Sequence, residues 1–125
     1  MDSIKEILST LGYESALDLD VNEAITIEVE AMMDLTIERI GETQLSVAHN
    51  RIQMGDLMCD PEIVFDVDAE TGQWTAVEYT QHPHLYQHNE SGLPDVQSFA
   101  DGTWDRNLQA QGFVDAASQL AEATA

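Results

Sequence analysis

Cations are scarce in this chain. Four Lys/Arg stand against 24 Asp/Glu, a net charge of −20 over 125 residues, and Lys5 is the single lysine. No basic patch can be assembled from Lys5, Arg39, Arg51 and Arg106, which argues against direct nucleic-acid binding. One cysteine, Cys59, rules out an internal disulfide and points to a reducing, cytoplasmic compartment. No apolar run approaches the roughly 18 residues that span a bilayer. The first residues join no basic flank to a continuous apolar stretch, so neither a membrane partner nor a secretory signal is expected. There is no phosphate-cradling glycine loop, no nucleophile elbow and no carboxylate pair that stands apart from the acidic background. Asp60 beside Cys59 works against a thiolate. A non-enzymatic protein with no cofactor is the resulting expectation.

What the chain does have is apolar residues interleaved with acids. Its 43% hydrophobic content is enough for one folded domain over residues 1–125 despite the charge. Ile4, Ile7, Leu8 and Leu11 recur at helical spacing, which predicts a helix over about 2–11 closed by Gly12. Ile25, Ile27 and Val29 alternate with Thr26, Glu28 and Glu30 and predict a strand over 24–30. Further strands are predicted over 35–40 and 45–50. An acidic helix over residues 24–40 is the competing reading, and alternate Val, Ile and Thr favour strands. The strongest hairpin signal pairs a strand over 62–67 with one over 74–80, across a turn-rich segment containing Gly72. In that second strand regular alternation would set Trp74, Ala76 and Glu78 on one face, and Val77 and Tyr79 on the other. Residues 82–102 carry Pro83 and Pro94 without periodicity and predict a loop. A C-terminal helix over 103–123 follows, bent or broken at Gly112. The fold class expected is α+β: an antiparallel sheet of about four to five strands, with N- and C-terminal helices packed on one face.

Two segments are candidates for chemistry. The first is Met54-Gly55-Asp56-Leu57-Met58-Cys59-Asp60-Pro61-Glu62, expected as a connector between strands. Gly55 permits positive φ, Asp56 can bond its own backbone, and Pro61 holds Asp60 extended. Asp56, Asp60 and Glu62 with His49 offer oxygen and nitrogen donors to a divalent cation such as Mg²⁺, Mn²⁺ or Ca²⁺. Plain turn chemistry accounts for the same residue order. The second is His82-Pro83-His84, whose histidines project to one side of an extended chain, with Cys59 as a distant further ligand for zinc. A solvated loop explains these equally well.

The blocks Ser46 to Asn50 and Gly55 to Phe65 resemble a family of small uncharacterised domains of plasmids, phages and integrative elements. Its pattern is a strand ending in His-Tyr, then Asn-Gly-Asp-Leu-Met, any residue, and Asp-Pro-Glu. Trp74 to Gln81 and Trp104 to Phe113 are similar to the later parts of that pattern. Asn50 stands where the pattern has tyrosine, and Met54 where it has asparagine. The resemblance implies an α+β fold and a mobile-element setting, here in a haloarchaeal member, and implies no reaction.

The acidic surface fits life in concentrated salt, where the screening length falls from roughly 10 Å at 0.1 M to about 3 Å at 1 M. Three functional readings follow. An accessory domain would act through protein contacts, using Gly55, Asp56, Asp60, Pro61, Glu62, Trp74 and Tyr79 towards a partner of basic surface. A metal-dependent domain would use His49, Asp56, Asp60 and Glu62. An acidic DNA mimic would need its carboxylates gathered on one face. Either a monomer or a homodimer paired through an edge strand is compatible with the sequence.

Overall fold

The computed structural model describes residues 1–53, 55–81 and 85–124. Six strands follow one another as an antiparallel meander: β1 (Ala24–Ile27), β2 (Asp34–Arg39), β3 (Gln44–Gln53), β4 (Asp56–Val67), β5 (Trp74–Gln81) and β6 (Leu85–His88). Helix α1 (Asp2–Thr10) precedes the sheet. Helix α2 (Pro94–Ser98), a π-helical segment (Phe99–Trp104), α3 (Asp105–Ala110) and α4 (Phe113–Thr124) follow it. The class is α+β, with helices at both ends of the chain. No helix among the described residues is long and apolar enough to cross a membrane.

The core lies between the helices and one face of the sheet. Ile4, Ile7 and Leu8 of α1 meet Leu108, Phe113 and Ala117 from the other end of the chain, over Leu35, Ile37, Val47, Ile63 and Phe65. This is the apolar stripe of α1 laid on the alternating inward positions of the strands, and burial of these side chains is the main stabilising term. Arg39 ties the connector before β1 to the β2–β3 turn. Its guanidinium donates to the carbonyls of Leu17 (3.3 Å), Leu19 (2.8 Å), Gly41 (3.2 Å) and Glu42 (2.6 Å). At the far end, buried Asp105 accepts from the Ser3 N–H at 2.7 Å, and the Ser3 hydroxyl donates to the Asp105 carbonyl at 2.9 Å.

Several expectations are corrected here. The sheet has six strands rather than four to five, because Leu85–His88, inside the expected loop 82–102, pairs with β5. All four of its residues are exposed, so it is a strand by backbone pairing and leaves no period-2 trace in the sequence. The same expected loop holds α2, which begins on Pro94, a residue suited to the first helical turn. Strand β1 ends at Ile27 instead of residue 30, and Ala31 turns the chain at φ 67°. The expected helix 103–123 is split: Gly112, at φ 90°, separates α3 from α4, and a π-helical segment precedes α3.

Strand β5 also departs from regular alternation. Val64 pairs with Glu78 and Phe65 with Ala76, so Val77 is an extra, bulged residue. The bulge inverts the pattern beyond it. Tyr79, opposite Ile63, thus joins Trp74 and Ala76 on the helix side, while Glu78 joins Val64 on the open face.

Candidate functional site

The connector expected between residues 54 and 62 is a hairpin arm. Strand β3 runs to Gln53 and β4 begins at Asp56, with Gln53 paired to Asp56 around the turn at Gly55. Gly55 sits in that turn at φ 87°, a conformation that a side chain would strain. The neighbouring strands stop short. Strand β2 reaches only Asn50 through Asp34, and β5 reaches β4 only at Glu62 through Thr80. Among the described residues, 51–53 and 56–59 are therefore paired only with each other, as a two-stranded ribbon projecting from the sheet. Nearly all of the motif block lies on its β4 side.

Pro61 sits where the ribbon leaves the sheet. The register steps from Ala48–Glu62 to Asn50–Cys59, so two residues, Asp60 and Pro61, face His49. A bulge is where a strand tolerates a residue lacking an N–H, and Pro61 is buried there. The motif thus encodes a bent arm in one 12-residue strand rather than an entry to a new one.

The proposed metal set does not come together as a whole. His49 is buried on the helix side, its ring 5.5 Å from that of Trp104 and 5.2 Å from that of Phe113. Glu62 is paired with Ala48 and lies on the opposite face, where it accepts from the Ser46 hydroxyl at 2.5 Å. The side chains of Asp56, Cys59 and Asp60 lie outside the described residues, as do Met54, His82, Pro83 and His84. Among the described residues no three His, Cys, Asp or Glu side chains are grouped to hold a metal ion.

Trp74 and Tyr79, expected as contact residues, are packed inward. Trp74 is 8% exposed and stacks obliquely on Phe65 at 5.3 Å, and Tyr79 is half-buried against the core. Lys5 Nζ lies 5.5 Å over the Trp74 ring. The rim of this pair borders an open, polar cleft of about 520 Å³ that also receives Gln73, Thr75, Gln97 and Asp101. The Asp101 carboxylate is already engaged, by the Met1 ammonium at 2.7 Å and the Gln97 amide at 2.8 Å.

The face of the sheet away from the helices carries two cross-strand rows. One runs Ala24, Glu38, Ser46, Val64, Glu78, His88, and the other Thr26, Thr36, Ala48, Glu62, Thr80, Tyr86. Ser46, Ala48 and Val64 are buried at its centre, outside the main core cluster, and the acids stand around them. At the margin the Tyr86 hydroxyl donates to Glu78. That contact raises the Tyr86 pKa, because losing the proton would set two anions together.

Carboxylates are carried by the helices, by β2, β4 and β5 and by the connecting segments, while β1, β3 and β6 carry none, and Asp105 alone among the described acids is buried. The described cations do little to neutralise them. Lys5 lies on Trp74, Arg39 is bound to carbonyls, and the Met1–Asp101 contact is the one ion pair among the described residues. Local hydrogen bonds hold a few acids ionised. The Asp20 N–H and then the Tyr13 hydroxyl lower the Glu23 pKa, and the Thr71 and Glu70 N–H groups lower that of Asp68. Sequence reasoning missed the roles of Arg39, Asp105 and Tyr86, whose partners include the carbonyls of Leu17 and Leu19, Ser3 of α1 and a neighbouring strand. No local spacing announces them.

No curated protein and no solved structure matches the chain. A family model does, over residues 2–114, and it is described as a domain of unknown function (DUF6908). The ribbon, the bulge at Pro61 and the buried His49 are therefore features of a chain that belongs to this family.

Proposed function

We propose that this domain is a non-enzymatic accessory protein that works by protein contact, with the β3–β4 ribbon as its contact element. The observation that carries the reading is the length of β3 and β4 beyond both neighbouring strands. A two-stranded arm contributes little to the core it leaves, whereas its free edges can pair with a partner's backbone. Gly55 to Glu62 supply this arm, with Gly55 making the turn and Pro61 the bend at its root. The half-buried Met58 suits an adaptable apolar contact. Trp74 contributes through the rim it shares with Lys5, and Tyr79 by holding β5 to the core.

The charge distribution supports a halophilic, cytoplasmic setting for that work. Carboxylates on the helices, on β2, β4 and β5 and on the connectors suit a protein whose repulsion is screened by molar salt. A mobile-element origin rests on the resemblance of the Gly55–Glu62 block. A DNA mimic would concentrate its acids on one face, and here they are dispersed.

Affinity purification from the source cells at about molar KCl tests the ribbon. A partner recovered by the wild-type protein and by Glu122→Gln, but lost by a folded Met58→Asp protein, is the expected result. Equal recovery by all three refutes the ribbon as the contact element.

A further inference from the structure

Strand β6 ends the sheet in an unusual way. Beyond it no further strand pairs among the described residues, and its residues, Leu85-Tyr86-Gln87-His88, are all exposed. Tyr86 is 61% exposed and Leu85 43%. Edge strands in stable proteins are blunted by lysine, by proline, by a bulge or by a covering helix, since an open edge templates another strand. Leu85–His88 contains no lysine or proline and pairs with β5 in unbroken register. The opposite edge differs: α4 packs against β1.

Charge decides what the open edge would take. Glu78 lies directly across from His88, Glu62 lies in the same row as Tyr86, and Glu90 follows the strand. Strands lie about 4.8 Å apart, so a lysine or arginine on an added strand reaches over β6 to the Glu78 row. A second copy of this chain would instead bring an edge without lysine or arginine to face the same glutamates, and four residues a side bury too little area for a stable dimer.

We propose that β6 is a docking edge for an extended, cationic segment of a partner protein, which adds to the sheet as its next strand. This rests on the protein-contact reading but uses an element separate from the ribbon. Backbone pairing supplies the geometry, and carboxylates around Glu78 select for basic side chains.

The test uses the full chain and a blocked peptide of alternating lysine and valine, with the glutamate–valine peptide as control. Amide hydrogen exchange is followed along β6, and affinity is measured over a range of KCl. The lysine peptide is expected to protect Leu85–His88 and to weaken as salt rises, with the acidic peptide inert. Tyr86→Lys, an exposed change, should cut affinity about tenfold by repulsion, and Glu78→Gln should flatten the salt dependence. Met58→Asp should leave the peptide's affinity unchanged, which separates failure of this edge from failure of the ribbon. Absence of protection at β6, equal binding of both peptides, or protection that grows with protein concentration alone would overturn the proposal.

Discussion

His49 and Glu62 lie diagonally across the β3–β4 ladder, yet their side chains leave the sheet from opposite faces. His49 lies beneath Trp104 and Phe113, while Glu62 takes the Ser46 hydroxyl on the uncovered side. Two ligands of one ion must converge, so His49 and Glu62 cannot serve one ion together, and the His49 ring packs in the core. His49→Ala should open a cavity beneath both rings and cost about 2–5 kcal/mol, as truncations of buried side chains do. Urea unfolding checks this, and the variant's affinity for Mn²⁺ should equal that of the wild type.

Arg39 contributes to the fold through four carbonyls rather than through a carboxylate. A lysine cannot reproduce that fork. Arg39→Lys should lower stability by about 1–3 kcal/mol, the range for lost hydrogen bonds to a charged group. The effect should persist at high salt, because geometry and not long-range charge is what the substitution removes.

Buried Asp105 joins the two ends of the chain through Ser3. Asp105→Ala would leave the Ser3 N–H without its acceptor and should cost about 1–3 kcal/mol. Asp105→Asn keeps a side-chain oxygen there and should cost less. Denaturant midpoints of the two variants give the comparison.

Asp101 offers a pH signature. Burial pushes its carboxyl up, but hydrogen bonds from the Met1 ammonium and Gln97, with the charges of Met1 and Lys5, bring it below the usual range. A folded-state pKa below the unfolded one gives stability that is present above the unfolded value, about 3.9. That stability is lost as pH falls through the depressed value. Wild type should therefore exceed Asp101→Asn in stability at neutral pH, and the gap should close as pH falls through the depressed value. Melting curves of both proteins across that range test the sign.

The parts of this fold legible in the sequence are those where burial imposes a period. Helix α1 shows its Ile4, Ile7, Leu8 stripe, and Ile25/Ile27 and Leu35/Ile37 show the inward positions of β1 and β2. The ribbon and β6 show no such period: among the described residues the ribbon strands pair only with each other, and all four residues of β6 are exposed. Asn50 to Gln53 and Asp56 to Pro61 consequently look like connector, and Pro61 argues against a strand until its bulge is known. The bulge at Val77 is invisible for a similar reason. It is a property of pairing between β4 and β5, and it alone moves Tyr79 to the core side. The Gly55–Glu62 block stands out as a motif, but register rather than composition makes it a projecting arm.

The measurement that separates a contact arm from a metal site most directly is thermal unfolding from about 0.1 to about 3 M KCl. Each point is taken with and without EDTA, and then with added Mn²⁺ or Zn²⁺. For a contact arm on a salt-adapted acidic surface, the melting temperature rises with KCl as repulsion among the 24 acids is screened. EDTA and divalent ions then leave it unchanged at fixed ionic strength. A divalent ion that raises melting at fixed ionic strength, with the rise abolished by Asp56→Asn, would contradict this and make the carboxylate block a metal site.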